Sequence, residues 1–124
     1  MKNALIVDDE PDYLSIMEGI VQSFGYEVET AASGEEALER LEAKPPDLML
    51  LDLWMPGIGG IETLIRALKA RPGMEILIIT AVIDEKLRKR LLRIGALDYL
   101  TKPLDLEDLR QWLIAHSALS CSAH

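Results

Sequence analysis

The sequence predicts an α/β domain: an open parallel sheet with helices on both faces. Three observations lead there. Ala4-Leu5-Ile6-Val7, Leu48-Met49-Leu50-Leu51 and Ile76-Leu77-Ile78-Ile79 are continuous apolar runs ending at polar residues, the pattern of strands buried on both faces. Amphipathic segments with apolar residues at three- and four-residue steps lie between them. The alternation repeats five times without an internal repeat or a linker before residue 116.

Taken in order, Ala4–Val7 is the first strand, and Tyr13, Ile16, Met17, Ile20, Val21 and Phe24 mark the first helix, which Gly25 stops. Gly19 inside that helix costs about 1 kcal/mol relative to Ala, which the apolar stripe outweighs. Tyr26-Glu27-Val28-Glu29-Thr30 alternates, as a strand with one exposed face does. Ser33 and Glu36 form a capping box at the second helix, and Pro45-Pro46 ends it. The third strand is Leu48–Leu51. Ile61, Leu64, Ile65 and Leu68 mark the third helix, closed by Pro72-Gly73, and Ile76–Ile79 is the fourth strand. Leu87, Leu91 and Ile94 mark the fourth helix, stopped by Gly95, and Leu97–Leu100 is a weaker fifth strand. Leu106, Leu109 and Leu113 mark the fifth helix, with Asp105 as N-cap. Residues 2–116 form one domain, and residues 117–124, small and polar, are expected to fray.

Composition bounds the function. The 124 residues are 49% hydrophobic but only 5% aromatic, so the core is aliphatic. With 13 Lys and Arg against 21 Asp and Glu, the formal charge is −8, a field that repels phosphate backbones and argues against direct nucleic-acid binding. One cysteine, Cys121, excludes an internal disulfide framework and suits a reducing cytosol. No apolar stretch reaches the roughly 18 residues of a membrane span, and Met1-Lys2-Asn3 leads straight into a strand with no secretory segment. The expectation is a cytoplasmic protein with no membrane contact. Cys121, His116 and His124 lack metal-site spacing and are incidental.

In open parallel sheets, ligands bind beyond the carboxyl ends of the strands. There stand Asp8-Asp9-Glu10 after the first strand, Asp52 after the third, Thr80 after the fourth and Lys102 after the fifth. Crowded carboxylates repel one another and a cation relieves them. Oxygen ligands without a Cys/His cluster suit magnesium rather than a soft metal. Carboxylate-bound Mg2+ beside one Lys and one Thr is a site for holding a phosphoryl group. A carboxylate can itself be the nucleophile, forming an acyl phosphate. Asp52, alone at the end of a central strand, suits that role and leaves Asp8 and Asp9 as metal ligands. Each residue also has a plainer role: Asp8, Asp9 or Asp12 as a helix cap, Thr80 as cap of the fourth helix, Lys102 as a solvated charge. Their coincidence at four strand ends favours the site.

These residues resemble the receiver domain of bacterial two-component response regulators. The likeness is carried by Leu5-Ile6-Val7-Asp8-Asp9-Glu10, Asp52-Leu53-Trp54-Met55-Pro56 with Gly60 beyond, Thr80-Ala81, and Gly95 through Pro103. It implies the flavodoxin-like strand order 2-1-3-4-5 and a phosphoryl group received from a sensor histidine kinase or phosphotransfer protein. By that resemblance Asp52 is the acceptor, and Asp9 with Asp8 holds Mg2+, joined by Asp52 and the backbone carbonyl of Trp54. Thr80 and Lys102 contact the phosphoryl group. Thr80 and Tyr99 form the switch, Thr80 moving towards the phosphoryl oxygens while Tyr99 turns inward. Lys102-Pro103 matches a peptide that is cis in the family.

Two positions depart from the common pattern. Trp54, two residues after Asp52, and Val82, two after Thr80, are apolar where polar groups often orient an attacking water, so slow self-hydrolysis is expected. Gly57, Gly59 and Gly60 also make the loop after Asp52 permissive. Lys86, Arg88, Lys89, Arg90 and Arg93 make the fourth helix basic. The face of fourth helix, fifth strand and fifth helix is where the resemblance places dimerisation or a downstream output domain. Arg88, Asp98 and Asp108 match charged positions of the winged-helix subfamily. Trp112 replaces a basic residue there and, one step off the Leu106-Leu109-Leu113 stripe, is expected half exposed at an interface. The chemistry expected is acceptance and slow loss of a phosphoryl group, not turnover of many substrates. A Mg-dependent phosphatase of the haloacid-dehalogenase type is the alternative, but it needs an acid where Trp54 stands. A flavin carrier needs a Ser/Thr/Gly-rich loop where Asp8-Asp9-Glu10 stands.

Overall fold

Alternate residues of the three central strands feed two separate apolar layers, which is why those strands read as unbroken apolar runs. A computed structural model describes residues 2–81 and 84–122 of the chain. Its elements follow in the order β1 (Asn3–Val7), α1 (Pro11–Ser23), β2 (Glu27–Ala31), α2 (Gly34–Ala43), β3 (Leu48–Asp52), α3 (Gly59–Ala70), β4 (Glu75–Thr80), α4 (Glu85–Ile94), β5 (Asp98–Thr101) and α5 (Leu106–Ser122). The five strands pair in parallel, in the order β2-β1-β3-β4-β5.

Leu5 and Val7, Met49 and Leu51, and Ile76 and Ile78 face Ala37 and Leu41 of α2, Leu64 and Ala67 of α3 and Leu91 of α4. Ala4 and Ile6, Leu48 and Leu50, and Leu77 and Ile79 face Met17 and Val21 of α1 and Leu109, Trp112 and Leu113 of α5. Two helices therefore cover one face and three the other. Register places the strand ends together: Val7 lies opposite Leu51, Asp52 opposite Ile79 and Thr80 opposite Thr101. The residues that follow these ends share one rim.

Local chemistry sets the helix ends. The capping box at α2 forms as expected on one side, Ser33 Oγ accepting from the Glu36 amide at 3.1 Å. The Glu36 carboxylate reaches one residue further back, accepting from the Ala32 amide at 2.7 Å. Asp105 caps α5, its Oδ1 accepting from the Glu107 amide at 2.8 Å. At α4 the cap is Asp84, whose carboxylate accepts from the Leu87 amide at 2.8 Å, so Thr80 is spared that task. Helix α1 has no side-chain cap, and Pro11 starts it. Gly25 and Gly95 take positive φ just beyond α1 and α4. The backbone of α5 is helical from Leu106 to Ser122.

Trp112 corrects an expectation. It is 8% exposed, not half exposed. Its ring stacks on His116 with centroids 3.6 Å apart, and its Nε1 donates to Asp98 Oδ2 at 3.0 Å. Polar satisfaction of the indole lets the whole side chain join the α1/α5 layer.

Candidate functional site

The parallel sheet delivers the polar strand ends to one rim, and burial differs among them. Asp8 directly follows β1, and its amide extends the pairing to Ala31 of β2 at 3.1 Å. That holds the carboxylate inward, with no exposed surface. Asp8 Oδ1 accepts from the Glu10 amide at 2.9 Å. Asp52, the last residue of β3, is 4% exposed, and its Oδ1 accepts from the Trp54 amide at 3.2 Å. Asp9 and Glu10 are exposed at the rim. Carboxylate oxygens of Asp8, Asp9, Glu10 and Asp52 lie within 4.8 Å of one another.

One ammonium answers this cluster. Lys102 follows β5 and is tied back by its amide, which donates to the Thr80 carbonyl at 2.8 Å. Its Nζ lies 2.8 Å from Asp8 Oδ2, 2.9 Å from Glu10 Oε1 and 3.4 Å from Asp52 Oδ2. The ammonium also sits 4.2 Å from the centroid of the Tyr13 ring. The Lys102 peptide to Pro103 is cis. Thr80 ends β4 fully buried beside them.

Electrostatics follows from the packing. Burial pushes the Asp52 carboxyl above its usual range; the Trp54 amide opposes that, neighbouring Asp8 adds to it, and Lys102 opposes it again. Burial disfavours the Lys102 ammonium, yet Asp8 and Glu10, with Asp52 behind them, hold its pKa well above the ordinary lysine value. Among the described residues, four carboxylates gather around one cation, so the rim is short of positive charge. Asp8 Oδ2 is buried without a well-aligned hydrogen bond despite the nearby ammonium. A buried carboxylate oxygen with spare lone pairs, in an all-oxygen donor set, fits a hard divalent cation.

The loop beyond Asp52 is built around a close approach. Gly60 donates its amide to the Leu53 carbonyl at 3.0 Å. A Cβ there would lie 2.3 Å from Leu53 Cα and 2.6 Å from the Asp52 carbonyl oxygen. Gly57 and Gly59 have positive φ.

The structure thus brings together Asp8, Asp9, Asp52, Thr80 and Lys102. Trp54 stands in the following loop with its residue 56% exposed. Val82 lies outside the described residues. Tyr99 is half-buried on β5, opposite Ile78 and against the α2/α3/α4 layer. The expected interface residues scatter in role. Arg88 pairs with Glu85 on its own helix, which keeps the Glu85 carboxyl below and the Arg88 guanidinium above their usual values. Asp98 is occupied by Trp112 and by the Tyr99 amide, Asp108 is exposed and Trp112 is buried. Sequence reading missed the Lys102 contacts of Glu10 and Tyr13. The one available signal was that both open the first helix right after the acidic strand end.

Residues 4–114 match the family model of the response regulator receiver domain. The chain is 39% identical over 119 residues to the transcriptional regulatory protein ZraR of Klebsiella oxytoca, covering 94% of this chain and 27% of that protein. It is 41% identical over 103 residues to the alkaline phosphatase synthesis transcriptional regulatory protein PhoP of Bacillus subtilis, covering 82% of this chain and 42% of that one. The chain therefore spans between a quarter and a half of the length of these relatives. Among solved structures it is similar to a CheY-like receiver domain protein from Methanospirillum hungatei JF-1 (TM-score 0.89, 32% identity, 100% of this chain and 99% of that one). Chemotaxis protein CheY4 of Vibrio cholerae is also similar (TM-score 0.85, 30% identity, 93% and 98% covered).

Proposed function

The chain belongs to the response regulator receiver domain family of two-component systems, and from that premise we propose that Asp52 accepts a phosphoryl group from a sensor histidine kinase or phosphotransfer protein. The observation that carries this assignment is the buried Asp52 carboxylate, with Lys102 Nζ 3.4 Å from its Oδ2 and buried Asp8 alongside. An Asp52 oxygen attacks phosphorus, the phosphorus–nitrogen bond to the donor imidazole breaks, and the imidazole keeps the electron pair. The Lys102 ammonium turns from carboxylates to phosphoryl oxygens, and the Thr80 hydroxyl donates to one of them. Asp8, Asp9, Asp52 and the Trp54 carbonyl would hold Mg2+, which supplies positive charge beside the transferred group. The chain then loses the group slowly rather than turning over many substrates.

Phosphorylation shifts the Thr80–Tyr99 pair and alters the face of α4, β5 and α5. Lys86, Lys89, Arg90 and Arg93 have no ion-pair partner among the described residues, and Leu92 and Leu97 beside them are 39% and 42% exposed. That mixture of unpaired cations and apolar surface supports contact with a second copy or a downstream output domain, through these residues with Arg88 and Asp108 rather than through Trp112. The net charge argues against direct nucleic-acid contact by this domain. No helix among the described residues is long and apolar enough to cross a membrane; it is the proposed phosphotransfer from a sensor kinase that places the action in the cytoplasm.

Incubation with Mg2+ and acetyl phosphate, followed by intact-mass analysis, tests the assignment. One labile phosphoryl increment is expected on the parent and none on Asp52→Asn. An increment that persists in Asp52→Asn overturns it. Sizing before and after phosphorylation reads the association.

A further inference from the structure

Tyr13 belongs by sequence to the apolar stripe of α1, and its ring does pack against the α1/α5 layer. The same ring, however, lies on the first turn of α1, at the rim, with the Lys102 ammonium 4.2 Å from its centroid. The Lys102 side chain is only 7% exposed, so water contributes little to holding it. Its anionic partners are unequal. Asp8 and Asp52 are buried and are the carboxylates that a divalent cation would engage, whereas Glu10 is 56% exposed and shared with solvent. An aromatic face attracts a cation through its quadrupole, and does so most strongly where the cation is desolvated. Its face carries no formal charge and does not compete for phosphoryl oxygens.

We infer that Tyr13 is a positioning residue for phosphoryl acceptance: its ring holds the Lys102 ammonium at the rim when Asp8 and Asp52 turn to a metal ion. The inference rests on Asp52 being the acceptor. Without the ring, the ammonium keeps only Glu10 at the start of α1 and swings towards solvent, away from the line of the incoming group.

The test compares Tyr13→Phe, which keeps the ring, with Tyr13→Leu, which keeps apolar bulk alone; Tyr13→Met is a second ringless variant should Leu fold poorly. Proton NMR of the unphosphorylated, metal-free protein reads the ε-methylene of Lys102, which an aromatic face shifts upfield. The upfield signal is expected in the parent and Tyr13→Phe and lost in the ringless variants. Acetyl phosphate time courses at fixed Mg2+ are then expected to slow about 3- to 30-fold without the ring and to stay near the parent rate in Tyr13→Phe. Ringless variants with an unchanged Lys102 signal or an unchanged rate overturn the inference, as does a Tyr13→Phe protein as slow as Tyr13→Leu. A parent that never gains a phosphoryl group would instead sink the acceptor assignment, and the NMR comparison judges Tyr13 independently of it.

Discussion

Replacing Gly60 by alanine should damage the site through backbone alone. The added Cβ would lie 2.3 Å from Leu53 Cα, 2.6 Å from the Asp52 carbonyl oxygen and 2.9 Å from the Leu53 carbonyl oxygen. Ordinary contact begins near 3.4 Å, so α3 and the end of β3 must part by roughly 1 Å. No side-chain rotation relieves the overlap, because all three atoms are main chain. The moving segment is the one that aims Asp52 and carries the Trp54 amide bonded to it. Overpacking of this kind costs about 1–3 kcal/mol, or very roughly 3–15 °C in Tm for a domain of this size. A misplacement of about 1 Å at the reacting group slows acceptance on the order of 100-fold. Thermal melts and acetyl phosphate time courses read the two effects separately. Gly19→Ala is the control: nothing lies within 4 Å of that Cβ, so it should gain about 0.5–1 kcal/mol and leave acceptance unchanged. A folded Gly60→Ala protein that accepts phosphate at the parent rate would refute the reasoning.

Three further outcomes are expected. Trp54→Asn should lose its phosphoryl group faster than the parent, since an amide two residues beyond Asp52 can orient water where the indole cannot; equal decay rates after removal of phosphodonor would end that idea. Metal-free Asp52→Asn should be more stable than the parent at neutral pH. The folded-state pKa of Asp52 is raised, so its ionised form costs stability above that pKa, and the cost fades as pH falls through it towards the unfolded value. Melts from neutral to acid pH should show the two proteins converging, while added Mg2+ should stabilise the parent more than the variant. Trp112→Phe should cost about 1.5–3 kcal/mol in urea unfolding by leaving Asp98 Oδ2 without its 3.0 Å donor, and should not change oligomeric state. A change in association without loss of stability would restore Trp112 to the interface.

Element order, strand polarity and the acidic strand ends were legible in the chain itself. Apolar periodicity and capping residues act over a few positions, so Ser33, Asp105 and the runs ending at Val7, Leu51 and Ile79 announce their structures locally. Parallel strands then force their polar followers to one rim, which is why Asp8, Asp52, Thr80 and Lys102 could be grouped in advance. Contacts between distant residues could not. Burial of Trp112 depends on Asp98, fourteen positions away, accepting from its indole. The division of Lys102 among Asp8, Glu10, Asp52 and the Tyr13 ring depends on where α1 leaves the sheet, to within tenths of an ångström. Periodicity says which side of an element is apolar. Only packing of one element against another decides which polar atom each buried group meets, because that choice rests on distances no local pattern encodes.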